Sequence, residues 1–377
     1  MKDVFITHTS RFLPNEPISN EEIEEYLGKI NGVSSKSKNI VLRSNKIKSR
    51  FYSIDKEGNQ THSNTDLTVE AIKKIGLHFD LKKLELLAAA TSTPDQLIPS
   101  HGLMVHGKLD TSDSLEVISP SGVCCCSMHS LKYGFMSIAA GFKKNAICTG
   151  SENISKRIHS DKYENEFSKL KELEEKPILA FEKDFLRWML SDGASAVLLE
   201  DKPTGDLNFK IEWIEMCSFA HKLETCMYMG GEKDDHGDLV GYSNYSNQEI
   251  IDKSIFSLKQ DVKLLGNNIV SIAMPFLKSA FEKHNLKSED IDYLLPHMSS
   301  EFFRPKIEEA LTEYGIMVPK EKWFTNLSTV GNVGSASIFM MIHDLKQAKQ
   351  LTPGEKILLL IPESARFSYA FCLLTVV

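Results

Sequence analysis

The chain repeats itself, and nothing else in it limits the fold as tightly. From Ala71 to Thr93 it shows helical spacing, then Asp80-Leu81-Lys82, then a strand-like run from Leu84 to Ala90 ending on Thr91-Ser92. From Leu277 to Ser300 the same order returns: a helix, Asn285-Leu286-Lys287, and a strand from Ile291 to Leu295 ending on Ser299-Ser300. Both segments contain Leu-Leu-x-x-x-(Thr/Ser)-Ser, at 86–92 and at 294–300. The next stretch of each copy matches as well. A helix from Ser130 leads to Gly141, a strand Asn145 to Thr149 and Ser151; a helix from Ser337 leads to Gly354, a strand Lys356 to Ile361 and Ser364. In both copies the serine lies ten residues after the glycine. Apolar strands, Ala194 to Leu199 and Tyr369 to Val377, close the two copies. Strands alternating with helices, twice over, predict an α/β protein of two halves, 1–204 and 205–377, whose sheets pack around shared buried helices.

Composition narrows the function. The net charge of −7 argues against nucleic acid as the main ligand, because phosphate binding needs a basic footprint. No apolar run approaches the ~20 residues of a membrane span, and MKDVFITHTS lacks the apolar core of a signal peptide. Seven cysteines without a C-x-x-C pair read as reduced thiols of a cytoplasmic protein, with no structural metal expected. The opening reads as a strand at Val4 to Thr7, then a capping box at Ser19 to Glu22 before a helix carrying Ile23, Tyr26, Leu27 and Ile30. The basic cluster Lys46 to Arg50 is either solvated surface or a holder of coenzyme A phosphates or an acidic carrier protein.

The turn into the first buried helix carries the chemistry. Leu115 to Ile118 is strand-like, Pro120 and Gly122 mark a turn, and Cys124, Cys125 and Cys126 come next. Leu131, Phe135 and Ile138 then recur at helical spacing, with apolar residues on most other faces, which predicts a buried helix. A thiol at such a helix start feels its positive end, which favours thiolate. A small thiol in a core turn is also ordinary filling. The corresponding turn of the second copy is Val330 to Ser337, and its strand ends on Pro296-His297. One thiol, one imidazole and one amide thus stand at strand ends and helix starts.

At these residues the chain resembles the thiolase superfamily, and within it the β-ketoacyl-acyl-carrier-protein synthase III branch. The residues that carry the likeness are Leu13-Pro14, Thr91-Ser92-Thr93 with Pro99-Ser100, the cysteine turn, Gly150-Ser151, Ser191-Asp192-Gly193-Ala194, Leu294 to His297, and Gly331 to Ser337. They occur in the family's order over nearly the whole chain. The resemblance implies a duplicated thiolase-like fold in five layers, α-β-α-β-α. It implies a catalytic set of Cys124, His297 and Asn332, with no cofactor and no metal. Gapless counting back from Leu131, Gly141 and Gly150-Ser151 lands on Cys124, whereas Cys125 requires a one-residue shift.

The implied activity is acyl transfer from a thioester to the cysteine, then Claisen-type condensation with a malonyl or β-ketoacyl thioester. His297 and Asn332 would donate to the enolate. A second oxyanion hole would use the backbone N–H groups of Cys124 and Ala365. Acyl-CoA or acyl carrier protein thioesters would be the partners, and the habit of the family is a homodimer. The chain departs from the family in two places, Glu363-Ser364-Ala365-Arg366-Phe367-Ser368 for a glycine-rich loop and Met298-Ser299-Ser300 after the histidine. These departures point toward secondary metabolism of the dialkylresorcinol or pyrone-forming kind. A non-catalytic acyl-binding or scaffold subunit that keeps the fold is the alternative. The apolar residues Leu97, Ile98, Leu103, Met104 and Val105 are expected at a partner surface. An insertion between Ser155 and Leu190 reads as amphipathic helix, with Phe181, Phe185, Trp188 and Met189 forming one stripe, and Phe181 and Phe185 are candidates for an acyl-pocket wall.

Overall fold

The computed structural model describes residues 2–35, 37–112, 114–163 and 185–377. The central sheet contains nine strands: β1 (Phe5–Phe12), β2 (Leu86–Thr91), β3 (Glu116–Ile118), β4 (Asn145–Glu152), β5 (Gly193–Glu200), β6 (Phe209–Ser218), β7 (Tyr293–Pro296), β8 (Lys356–Glu363) and β9 (Ser368–Val376). Their order is β7-β8-β9-β6-β1-β5-β4-β2-β3. The middle of the sheet is thin, because β1 meets β6 through only Phe5↔Lys210 and Ile6↔Phe209. Outward from that seam the sides mirror one another. β4 pairs antiparallel with β5 and parallel with β2, and β8 pairs antiparallel with β9 and parallel with β7.

Strand side chains alternate between faces, and here both faces are apolar, so every strand feeds two cores. Leu87, Ala89, Ala194, Ala196 and Leu198 face outward against Leu67 and Ile72 of α1 (Asn64–Ile75) and Val105 of α2 (His101–His106). Leu86, Ala88, Val197 and Leu199 face inward and share one core with Ile357, Leu359, Ala370 and Cys372 from the other side of the sheet. Between them lie Met128 and Leu131 of α3 (Cys126–Ala139) and Ile338, Phe339 and Ile342 of α7 (Ser337–Ala348). The alternate residues Leu358, Leu360, Tyr369 and Phe371 pack outward with Leu277 and Phe281 of α5 (Met274–Lys283) and Ile307 and Leu311 of α6 (Arg304–Glu313). Helices, sheet, helices, sheet, helices form five layers, as expected. α4 (Val262–Asn268) precedes α5, with Asp261 capping its start by accepting from the Leu264 N–H at 2.8 Å.

Local expectations fared unevenly. The strand expected over Val4 to Thr7 extends to Phe12. Ser19 and Glu22 do bond each other, but the helix after them covers only Ile23–Tyr26, because Gly28 turns the chain with φ +68°. α3 is buried on the sheet side, while Met136 stands 49% exposed, so the helix is less enclosed than its composition predicts. Val105 is fully buried within the chain and does not reach a partner surface, whereas Leu97, Ile98 and Leu103 are exposed. Among the described residues no helix is long and apolar enough to cross a membrane.

Candidate active site

Two turns, one on each side of the sheet, meet beneath the buried helices. The first runs from β3 into α3. Cys125 caps the helix and Cys126 is its first residue. Glu363, the last residue of β8, accepts the N–H of Val123 at 3.0 Å and of Cys125 at 2.9 Å on its Oε2. The Cys125 thiol donates to the Ile361 carbonyl at 3.3 Å, and Cys126 is fully enclosed. Cys124 is the cysteine of the three that lines an open chamber. Its N–H, between the two that Glu363 takes, donates to no other described residue.

The charge state of the thiol differs from the expectation. Burial first, then the carboxylates of Glu363 and Glu152, push Cys124 well above the ordinary thiol range. The helix start does not secure a thiolate here, because burial and the two carboxylates outweigh its positive end.

The second turn runs from Gly331 into α7. Gly331 has φ +78°, and a Cβ there would lie 2.9 Å from that of Ser191, so a side chain is disfavoured by both conformation and space. Asn332 is fixed by its backbone, with its N–H on the Met189 carbonyl at 3.0 Å and its carbonyl accepting the Ser191 N–H at 2.9 Å. Its Oδ1 accepts the Gly334 N–H at 3.0 Å, which leaves the amide NH2 for the chamber. Ser337 Oγ accepts the Val333 N–H at 3.1 Å, and Glu152 Oε1 accepts that of Ser335 at 3.2 Å. Glu152 ends β4 and also accepts Ser92 Oγ at 2.5 Å and Thr93 Oγ1 at 2.9 Å. The turn presses on β4 so closely that a Cβ on Gly150 would sit 2.4 Å from the Ser335 carbonyl oxygen.

His297 comes directly after β7, and its N–H bonds to the Leu360 carbonyl at 2.8 Å. Burial pushes its imidazole down to about 4, so it is neutral near pH 7. Cys124, His297 and Asn332 line the same chamber, whose further walls are apolar, including Leu265, Ile269, Met274, Phe303 and Ile307. A second chamber shares Val123, Leu190, Met227, Asn332 and Gly334 with the first, and adds Ala365 and Arg366. The Ala365 N–H donates to no described residue, while its carbonyl accepts from Cys226 at 2.9 Å.

Other singled-out residues lie elsewhere. Phe181 falls outside the described residues; Phe185 packs against the large outer core, and Leu186 and Leu190 are the residues of that segment on the chamber. Trp188 and Met189, from the same stripe, are fully buried core. In the basic cluster Lys46 and Lys48 are exposed, but Arg50 is buried, with Nη2 on Asn20 Oδ1 at 2.9 Å. Asp192 is structural: it accepts the N–H groups of Ser53, Ile154 and Ser155 at 2.7, 2.6 and 2.9 Å. The two strand-end glutamates received no role from sequence reasoning. Their signal was present, since Glu152 comes right after the repeated Ser151 and Glu363 right before its counterpart Ser364.

Comparison with known proteins agrees with this architecture. Residues 281–362 match the family described as 3-oxoacyl-[acyl-carrier-protein (ACP)] synthase III C terminal. The chain is 25% identical over 366 residues to a β-ketoacyl-[acyl-carrier-protein] synthase III of Clostridium perfringens, covering 95% of each. Among solved structures it resembles AbyA1, a tetronic acid condensing enzyme, with TM-score 0.76 and 16% identity over 98% of this chain and 99% of that one. It also resembles OleA of Xanthomonas campestris with bound lauric acid and lauroyl-CoA, with TM-score 0.72 and 16% identity over 99% of each. The fold is thiolase-like, with two turns facing one chamber. Over nearly its whole length the chain is similar to β-ketoacyl-acyl-carrier-protein synthase III enzymes.

Proposed function

We propose that Cys124 accepts the acyl group and that His297 and Asn332 serve the carbon–carbon bond-forming step. The activity itself is Claisen-type condensation of acyl thioesters. The observation that carries the assignment is that these three side chains, and neither Cys125 nor Cys126, line one chamber. In the first half-reaction the Cys124 sulfur attacks the thioester carbonyl. The new C–Sγ bond forms, the old C–S bond breaks, and the thiol proton ends on the leaving thiol. The free N–H groups of Cys124 and Ala365 suit the developing oxyanion. In the second, loss of CO2 from a malonyl unit leaves its electron pair as an enolate. Neutral His297 and the Asn332 amide donate to that oxygen while its carbon attacks the acyl-cysteine and expels the thiolate.

The acceptor we favour is a β-ketoacyl or malonyl thioester in a polyketide-like pathway such as dialkylresorcinol formation, with acyl-CoA or acyl carrier protein as donor. Two chambers joined at Asn332, one with mainly apolar walls, suit two alkyl-bearing substrates. We further propose a cytoplasmic homodimer. Seven cysteines without a C-x-x-C pair suit a reducing compartment, and the exposed Leu97, Ile98 and Leu103 suit burial against a second copy. The test is intact-mass analysis after incubation with a panel of acyl thioesters, with peptide mapping of the modified cysteine. A mass shift on Cys124 supports catalysis; none with any thioester supports the scaffold alternative. Light scattering that returns a monomer near 42.4 kDa would overturn the dimer.

A further inference from the structure

We infer that Glu363 is a positioning residue for the nucleophile: it clamps the two peptides flanking Cys124 and sets a fixed negative charge beside the sulfur. The inference rests on the reading of Cys124 as acyl acceptor and assigns a role to a residue which that reading leaves idle.

The geometry is specific. One carboxylate oxygen takes two backbone donors, Val123 at 3.0 Å and Cys125 at 2.9 Å, from either side of a single residue. Fixing both neighbours fixes the Cys124 peptide between them, with its N–H unclaimed and its side chain on the chamber wall. Glu363 is only 9% exposed, and among the described residues no Lys, Arg or His pairs with it. Hydrogen bonds from backbone N–H groups to a carboxylate are short and directional. The charge of Glu363 therefore stays local, against the thiol, with no cation to offset it.

The groups around the sulfur come from several elements. Glu363 ends β8, Glu152 ends β4, and Cys125 and Cys126 belong to the same turn. Cys217 of β6 and Tyr369 of β9 are the further titratable groups whose charge Cys125 would feel, and neutral His297 faces the chamber. Both acids disfavour thiolate, and Glu363 is the larger of the two at Cys124. The enzyme thus keeps its nucleophile protonated at rest, which guards an open thiol against alkylation and oxidation. Attack then couples to proton transfer to the departing thiol.

The test separates charge from clamp. Glu363→Gln keeps an oxygen for both N–H groups but removes the charge. Its Cys124 should react with iodoacetamide, read by peptide mapping, about tenfold or more faster at pH 8, with the midpoint of the pH–rate curve lowered by about one unit or more. Acyl loading should survive. Glu363→Ala removes the clamp as well, and acyl loading should fall sharply although the thiol still alkylates. A purely structural glutamate would leave the midpoint of a folded glutamine variant at the wild-type value, and that result overturns the inference. If the glutamine variant does not fold, Glu363→Asp retracts the charge by one methylene; its midpoint should also fall, and an unchanged one overturns the inference. Acyl mass found on a different cysteine would refute the nucleophile assignment yet leave the alkylation comparison valid.

Discussion

The turn into α3 and the turn into α7 occupy matching places, each held by a carboxylate from the far side of the sheet, and they are finished differently. At the first, Glu363 takes two N–H groups and, among the described residues, nothing else, leaving a charge with no cation beside a thiol. At the second, Glu152 takes two N–H groups, those of Ser335 and Ser92, and two hydroxyls, while Asn332 and Ser337 complete the turn from within. One turn is arranged around a charge and presents a reactive atom. The other is a satisfied polar network that presents a neutral donor. A shared backbone solution thus presents a thiol on one side and an amide donor on the other.

The sharpest way to break this division is at the first turn. Cys124→Ala should abolish the acyl mass shift entirely while Cys125→Ala retains most of it; acyl transfer mapped to Cys125 would reverse the assignment. Next come the donors. His297→Ala and Asn332→Ala should each load an acyl group normally but lose about a hundredfold or more in condensation, measured as product per turnover. Wild-type condensation in both would remove the second turn from the mechanism.

Acid stability offers a third contrast. His297 and His101 are both pushed by burial to about 4, whereas an unfolded chain protonates histidine near 6.5. The unfolded state therefore binds protons first on acidification. Each histidine's contribution is fully present above about pH 7 and lost progressively between about 6.5 and 4, on the order of 3 kcal/mol apiece. Glu152 and Asp192, raised by burial, act in the opposite sense. The readout is therefore a difference: urea unfolding of His101→Gln against wild type at pH 7.5, 6 and 5 should show a shallower loss in the variant. Parallel curves would mean that His101 is not buried neutral. The smallest effect belongs to the satisfied turn. Glu152→Ala orphans the Ser335 N–H and should cost about 1–3 kcal/mol in thermal or urea unfolding, with the alkylation midpoint of Cys124 moving less than in Glu363→Gln.

These two turns also show what the sequence could disclose. Strand alternation and the repeated Leu-Leu-x-x-x-(Thr/Ser)-Ser segments were visible because they are local patterns of period two and of spacing. The thiol, imidazole and amide were visible because each stands at a strand end or helix start within such a segment. The clamps were not. Glu363 acts on a turn 238 and 240 residues away; its place beside the repeated serine marks a strand end, but nothing near it in the chain names its partner. The expectation of thiolate character failed for the same reason, since helix polarity is a local cue and the opposing carboxylate arrives from a distant strand. Phe185 shows the complementary limit: a helical stripe reports burial, and which buried residues reach the chamber, Leu186 and Leu190, depends on packing.

The crossed carboxylates also bear on how the molecule reaches its native state. Their partners are separated by 183, 238 and 240 residues, so each contact closes a long loop. Contacts of such span form late and slow folding, because the loop entropy is lost before they contribute. With the seam between β1 and β6 only two residue pairs long, much of what ties the two sides together lies at these strand ends and in the helices between them. Until both sides have docked, each turn carries bare N–H groups and each glutamate lacks its donors. Catalytic competence should then emerge with the last step of folding rather than before it, so a partly folded chain would expose the cysteines without being able to use them.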